Sequence, residues 1–229
     1  MSRLQSLSTP SRRSRASPSP SPAPVSPRPA SETSNHRYLR LILSEIKNVL
    51  STWDDILLQD GLKAGKGCID EATEMDNILT IEDGPERPRI GPHLEALSDA
   101  RSGLRATLSK LDKLLLKLSK LIEQAETLLL EAYSKQQGPM WLTWTLEDFV
   151  DSVPPLLSSH NGELVELAKI SSILLDPSTK FEAARAALER WRDLGKGGER
   201  WCAAREWEEM VDLEIGGGEE EKEGHRRRR

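Results

Sequence analysis

The longest regular pattern in this sequence is a row of apolar residues that recurs at alternating steps of three and four along residues 94–132. That spacing keeps the side chains on one stripe of an α-helix, where they can pack against a partner helix. Only Arg101 breaks the row, whose members are Leu94, Leu97, Leu104, Leu108, Leu111, Leu115, Leu118, Ile122, Ala125, Leu129 and Ala132. A second column predicts contact with more than one neighbour, and a coiled-coil dimer is the alternative. That column is Leu114, Leu121 and Leu128.

A similar row starts near Asn35 and is interrupted at Asp60-Gly61. Its members are Leu39, Ile42, Ile46, Val49, Trp53 and Ile56. A weaker helical pattern covers 62–80, and a loop rich in proline and glycine covers 81–92. The two matching rows predict that helix 35–58 packs antiparallel on helix 94–136.

The C-terminal part of the sequence reads as shorter helices. Gly138-Pro139 ends the long helix, and Thr145 caps the next one, which Pro154-Pro155 must kink or break. Asn161-Gly162 weakens that helix again, and Asp176-Pro177 stops it. Two more helices are predicted at 178–194 and 201–213.

The predicted fold is therefore all-α: an antiparallel helical bundle or coiled coil with a C-terminal helical segment and a disordered N-terminal tail. The four regions are a Ser/Pro/Arg-rich tail at 1–34, a coiled-coil region at 35–137, a C-terminal helical region at 138–215 and a disordered charged tail at 216–229.

Charge and composition exclude several functions. The net charge of −5 divides into +4 for 1–34, +1 for 216–229 and −10 for the part between them. An acidic body lacks the clustered Lys and Arg that hold a phosphate backbone, so no direct binding of nucleic acid by the folded body is expected. Two distant cysteines, Cys68 and Cys202, form no disulfide framework or metal set and fit a reducing compartment. No apolar run is long enough to span a membrane, and the basic N-terminus is not expected to act as a secretory signal, because no apolar stretch follows it.

No constellation of residues predicts catalysis, a cofactor or a metal. The segment from Gly61 to Gly67 is one residue short of a phosphate loop and places Gly67 where a hydroxyl must hold magnesium. The four histidines share no ligand spacing, and the carboxylates after Thr145 suit the start of a helix. The chain is therefore predicted not to be an enzyme.

The N-terminal tail contains five Ser or Thr residues that precede proline. These candidate phosphorylation sites are Thr9, Ser17, Ser19, Ser21 and Ser26. The Thr9-Pro10-Ser11-Arg12 stretch matches the pattern that cyclin-dependent kinases prefer, and chance occurrence in a Pro/Ser-rich tail is the alternative.

Two of the six tryptophans, Trp141 and Trp144, lie at the junction between the long helix and the C-terminal helices. Large rings in a turn can cover the end of a helical seam, and Phe149, one turn into the next helix, can pack on the same place. The sequence predicts a structural junction that folds the second half of the chain back on the first, and direct contact with a partner is the alternative.

The order of these features resembles the cyclin-dependent kinase 2-interacting protein family, as a divergent, fungal-like member. The resemblance covers about Leu39 to Trp191, and the chain departs from it at Pro154-Pro155 and Asn161-Gly162, where the family's helix is expected to run on. The residues that carry it are Trp53, the Trp144-x-x-x-x-Phe149 junction, the Glu163-Leu164 pair and Trp191. The junction is its most specific element, since leucine seams are generic.

The resemblance implies a small non-enzymatic adaptor whose contacts or junction involve Trp144, Phe149, Glu163, Leu164 and Trp191. It implies kinase complexes of DNA replication and the DNA damage response as partners. It also implies an AAA+ ATPase assembly with a second small helical subunit, in ribosome maturation and replisome turnover. The implied location is the nucleus, and also the cytoplasm. The alternative is a structural coiled-coil subunit of a kinetochore or spindle-pole complex.

Overall fold

The structure is a computed structural model that describes residues 32–82, 84, 87–132 and 138–226, with side chains described as far as residue 216. Every regular element in that part of the chain is helical, which confirms the all-α prediction. The elements are α1 Ser34–Asp55, a π-helical turn Ile56–Gly61, α2 Leu62–Thr80, α3 Gly91–Ala132, α4 Leu146–Asp151, α5 Pro154–Leu175, α6 Phe181–Gly197 and α7 Glu199–Arg226. The predicted disordered tail lies outside the described residues up to position 31.

The helices form four columns that alternate in direction. The first column is α1, the π-helical turn and α2; the second is α3; the third is α4 and α5; the fourth is α6 and α7. Lys117 forms an ion pair with Glu45 at 2.8 Å, and Lys110 forms one with Asp60 at 2.7 Å. The later residue of the first column therefore faces the earlier residue of α3, so the two columns run in opposite directions. The predicted antiparallel packing of the first helix on the long helix is therefore confirmed.

The described residues from Thr33 onward form one compact unit with two apolar cores. The first core joins the start of α1 to the end of α3, to α4 and to the middle of α7. The second core joins Trp53 and the π-helical turn to the first half of α3, to α5 and to α6. The predicted regions 35–137 and 138–215 contribute to both cores, because each column runs past both.

The first column does not stop at Asp60-Gly61, where the sequence predicts an interruption. A π-helical turn carries the chain directly into α2 and adds one residue to the turn. The buried stripe continues from Trp53 to Leu57, which is fully buried, whereas Ile56, the predicted member of the row, is only partly buried. The glycine that looked like a helix breaker is a contact point, since a Cβ on Gly61 would lie 2.5 Å from the Trp191 ring.

The predicted second column of the long helix is confirmed in α3. Leu121 and Leu128 are buried beside the main stripe, and Leu114 is partly buried against both cores. A helix that packs against the first and third columns at once needs this wider apolar face.

Two predictions about the third column meet different outcomes. The break at Pro154-Pro155 is confirmed, because α4 ends at Asp151 and the prolines occupy the first turn of α5, where their missing N–H costs nothing. Asn161-Gly162 does not interrupt the helix, because α5 runs unbroken to Leu175, and the weakening there stays a prediction. Both residues are exposed, and a Cβ on Gly162 would meet no atom.

The last helix is longer than the sequence predicts. The short helix expected at 201–213 is α7, whose backbone runs from Glu199 to Arg226, through the glycines where the charged tail was expected to begin. The residues after those glycines are mostly Glu and Lys, which favour helix. Only residues 227–229 of the predicted tail lie outside the described part.

Candidate protein-interaction site

The junction after α3 contains a cluster of three aromatic rings, here called the aromatic junction: Trp141, Trp144 and Phe149. Phe149 is fully buried and receives both tryptophans edge to face, with ring centroids 5.3 Å from Trp141 and 5.0 Å from Trp144. Edge-to-face pairs add favourable quadrupole contacts to the burial of apolar area. Both tryptophans are only half-buried, so each has one side in the core and one side at the surface.

A single carboxylate holds this segment to α7. Glu214 accepts hydrogen bonds from the backbone N–H of Thr143 at 2.8 Å and of Trp144 at 3.0 Å, and also from the Thr143 hydroxyl. Burial works to raise the pKa of Glu214, but these hydrogen bonds outweigh it and lower the pKa. The carboxylate therefore stays charged at neutral pH and fixes the turn that carries the tryptophans.

The start of the next helix is closed by the predicted cap. The Thr145 hydroxyl accepts from the backbone N–H of Asp148 at 3.2 Å, while Asp148 accepts from the backbone N–H of Thr145 at 2.8 Å. These reciprocal bonds satisfy two backbone donors. The pKa of Asp148 is lowered first by the Thr145 hydroxyl, which donates to Asp148 Oδ2 at 2.7 Å, and then by the Thr145 backbone N–H. The cap sets where α4 begins, and hence where Phe149 points.

The first turns of α1 cover the other side of the junction. The His36 ring meets Trp141 edge to face at 5.4 Å, and His36 Nε2 lies in hydrogen-bonding contact with the Met140 carbonyl. The Arg40 guanidinium lies 5.5 Å from the centre of the Trp141 ring, in range for a cation–π contact. The tryptophans are therefore held in place from α1, α4 and α7.

Exposed leucines flank this rigid segment. Leu142 is 42% exposed and Leu213 is 69% exposed. Each is the chain neighbour of a residue in the Thr143–Glu214 contact, so the backbones of both leucines lie beside that contact. The two exposed leucines and the two half-buried tryptophans are therefore carried by backbone that this contact fixes.

The other predicted site residues lie away from this surface. Leu164 is half-buried against the second core, and Trp191 is fully buried, with its indole N–H donating to the Leu57 carbonyl at 3.0 Å. Glu163 is buried as well, with only 6% of its surface exposed. It lies on the inner face of α5, between α1 and α7.

Glu163 belongs to a buried polar network that joins three columns. Its Oε2 accepts from the Trp53 indole N–H at 2.7 Å and from Arg200 Nε at 2.9 Å. Arg200 Nη1 also pairs with Asp54, which Arg205 contacts at 3.5 Å. Arg200 comes from the first turn of α7, so this network fixes where the last helix meets α1 and α5.

His160, one turn before Glu163, completes the network. Its ring is fully buried, meets Trp53 edge to face at 4.9 Å and contacts the Leu156 carbonyl through Nδ1 at 2.6 Å. Burial lowers the pKa of His160 to about 4, so this histidine is neutral at physiological pH. Burial raises the pKa of Glu163, while the Arg200 guanidinium and the Trp53 indole oppose that rise.

Sequence reasoning missed Arg200 and Asp54, although a signal for Arg200 was present. Arg200, Ala204, Trp207 and Val211 recur at steps of four, three and four, and all four are buried. An arginine in an otherwise apolar stripe predicts a buried cation that needs a carboxylate partner. The sequence does not reveal which carboxylate that is.

The buried histidine makes the stability of the protein dependent on pH. Between pH 4 and 6.5 the unfolded chain binds a proton at His160 that the folded chain rejects. The stability contributed by His160 is therefore complete above pH 6.5 and is lost as the pH falls towards 4. Glu163 affects stability in the opposite direction, because its pKa is raised in the folded protein. The stability contributed by Glu163 is complete below its usual pKa of 4.5 and is lost as the pH rises through the raised pKa.

Replacing His160 by glutamine is expected to flatten the acid side of the stability profile. Urea unfolding of parent and His160→Gln at several pH values across this window gives the free energy of unfolding. The difference in free energy of unfolding between His160→Gln and the parent should change by up to about 3 kcal/mol between pH 6.5 and pH 4. Parallel profiles would contradict a neutral buried imidazole.

The described residues contain neither a metal site nor a membrane span. No group of three or more His, Cys, Asp or Glu in the described residues is arranged to hold a metal ion. None of the described helices combines the length and apolar character needed to cross a membrane. The candidate phosphorylation sites Thr9, Ser17, Ser19, Ser21 and Ser26 lie outside the described residues.

Comparison with protein-family models gives no match, and comparison with curated proteins gives none either.

Proposed function

We propose that this protein is a non-enzymatic helical adaptor that docks a protein partner on the aromatic junction and the leucines beside it. The observation that supports this most is the state of Trp141 and Trp144. Both rings are held rigidly on Phe149 while each stays half-exposed. Tryptophan is enriched among the residues that dominate binding energy at interfaces.

The rigidity of the segment supports docking, because ordering a flexible loop costs free energy when a partner binds. Here the backbone of Thr143 and Trp144 is already fixed by Glu214, and α4 is already capped at Thr145. A partner that covers Leu142 and Leu213 would bury apolar area with little loss of conformational entropy.

The resemblance to the cyclin-dependent kinase 2-interacting protein family supplies the proposed partners. These are cyclin-dependent or checkpoint kinase complexes in genome maintenance, and an AAA+ ATPase assembly with a second small helical subunit. The proposed location is the nucleus. A kinetochore or spindle-pole subunit is less well supported, because α3 packs within one chain and the columns form a compact unit.

Acidic residues at the two leucines should remove partner capture without unfolding the bundle. Leu142→Asp with Leu213→Asp adds charge where both side chains are already exposed, so thermal melting should stay close to that of the parent. Affinity purification with mass spectrometry should then lose an AAA+ ATPase and pre-ribosomal particles, or a kinase complex, from the captured proteins.

The matched control is Leu116→Asp with Val165→Asp, which changes two exposed apolar residues on α3 and α5. This control should keep every partner. Equal capture by the junction variant and the parent would refute docking at the junction, and capture of centromere proteins would favour the alternative function.

A further inference from the structure

The far ends of α2 and α3 extend beyond the rest of the bundle. A Cβ on Gly65 would lie 2.8 Å from Leu188 and 3.4 Å from Leu174, near the end of α5. Past Gly65, α2 continues for 15 residues to Thr80, which is about 22 Å of helix. We call this part of α2 and the facing part of α3, residues 66–80 and 91–103, the hairpin arm.

The arm is held together from within. Glu71 contacts His93 across the two helices at 2.8 Å, and Arg87 Nε donates to the Ile78 carbonyl at 3.1 Å. Ile78 and Leu97 are buried, with 4% and 5% of their surfaces exposed. The arm is therefore ordered, and its base still borders α6, since Lys66 lines one cleft with Arg185 and Glu189.

A groove runs between α2 and α3 at the base of the arm, with a cavity of about 430 Å³. Small residues line its floor: Ala64, Gly67, Ala100, Gly103 and Ala106. Its other lining residues are Thr107, Asp99, Lys63 and the Asp60–Lys110 ion pair. A Cβ on Gly67 would lie 3.1 Å from the Ala100 Cβ, so the two helices approach closely and the floor is apolar. The volume lies in the range of pockets that bind small ligands or single large side chains.

Carboxylates extend both walls of this groove along the arm. On α2, Asp70 and Glu74 follow Gly67 at steps of three and four residues, and on α3, Asp99 and Glu95 precede Gly103 at steps of four. Residues three or four apart share one face of a helix, so these side chains continue the two walls of the groove. The four carboxylates reached in this way are Asp70 and Glu74 on α2, and Glu95 and Asp99 on α3. All four are exposed, and Asp99 lines the groove itself.

Most of this charge has no internal partner. Asp70 forms an exposed pair with Lys66 at 3.2 Å, while Glu74, Glu95 and Asp99 form no ion pair within the described part of the chain. The arm, residues 66–80 and 91–103, contains six Asp and Glu residues against one lysine and one arginine, a net charge of −4. The field at the arm is therefore negative and attracts a basic partner.

We propose that the groove and its acidic walls form a second docking surface, for a segment of a partner protein in which lysines or arginines flank a large apolar side chain. The apolar side chain enters the groove over the small residues. The flanking cations lie against Glu74, Glu95 and Asp99, whose charge is otherwise uncompensated. This surface is separate from the aromatic junction. An experiment can therefore refute docking at one of the two surfaces and leave the proposal for the other intact.

The test uses the full chain and a fluorescein-labelled synthetic helical peptide in which lysines and arginines flank one phenylalanine. Fluorescence anisotropy gives its dissociation constant. Glu74→Lys with Asp99→Lys should weaken binding at least about tenfold. The control, Glu126→Lys with Glu131→Lys, makes the same change of charge at exposed positions farther along α3 and should bind the peptide as the parent does.

A second variant separates the groove from the charge. Ala106→Leu fills the groove from an exposed position, so it should weaken the phenylalanine peptide without changing binding of a peptide with glycine in its place. Ala168→Leu, at an exposed position on α5, is its control. Circular dichroism confirms that each variant is folded.

Three results would overturn the proposal. One is equal binding of the peptide by Glu74→Lys with Asp99→Lys and by its control. Another is equal effects of Ala106→Leu on the phenylalanine and glycine peptides, which would leave only non-specific attraction of charges. The third is self-association of the parent in sedimentation that the charge variant abolishes, which would make a second copy of the chain the occupant.

Discussion

Trp53→Ala is expected to be the most destabilising replacement of a tryptophan in this protein, with a loss of about 3–5 kcal/mol from the free energy of unfolding. The ring is fully buried where the two cores meet, and its indole N–H bonds Glu163 at 2.7 Å. Alanine would leave a cavity and would also remove a donor from a buried carboxylate. Urea unfolding followed by circular dichroism measures the loss.

Two further variants separate these contributions. Trp53→Phe keeps most of the ring but removes the donor, so it should show the cost of leaving Glu163 less satisfied, about 1–3 kcal/mol. Trp144→Ala should cost less than Trp53→Ala, because Trp144 is only half-buried. An equal or larger loss at Trp144 would contradict the burial argument.

Arg200→Met should cost about 3–5 kcal/mol, because it leaves the buried Glu163 without its cation. Asp54 would lose its closest cation too, and would keep only the longer contact with Arg205. Methionine retains apolar bulk in the stripe that packs α7, so the loss reports mainly on charge. The same urea unfolding measures it.

A double variant tests that the cost comes from the pair. Glu163→Gln removes the negative charge and keeps an acceptor for the Trp53 indole. The combination with Arg200→Met should therefore cost clearly less than the two single losses added together. Arg192→Met changes an exposed arginine on α6 and should stay within about 0.5 kcal/mol of the parent. Additive losses at Glu163 and Arg200 would show that the two side chains do not act as a pair.

Much of the fold follows from local signals in the sequence. The alternating steps of three and four predict α1 and α3, because helical geometry alone decides which residues share a stripe. Pro154 and the Thr145–Asp148 cap predict the break and the start in the third column for equally local reasons. Such features need no knowledge of the neighbouring helices.

The features that the sequence does not predict depend on contacts between distant residues. The π-helical turn has no mark of its own in the sequence, and the Trp191 ring that packs on its Gly61 comes from the other half of the chain. The Arg200–Glu163 pair and the Glu214–Thr143 contact are likewise set by how the fourth column returns along the bundle. The aromatic junction was predicted because its three rings lie close together in the sequence.

The unbroken first column also has a mechanical consequence. From Ser34 to Thr80 the chain is helical for 47 residues, a strut of about 70 Å that a loop at Asp60-Gly61 would have divided into two hinged pieces. His36, at the aromatic junction, and Asp70, on the groove wall, are separated along this strut by about 50 Å. Two partner molecules bound at the two ends of this helical column are therefore held at a fixed distance from each other. One partner that binds at both ends does so efficiently only if the spacing of its two binding segments matches that distance.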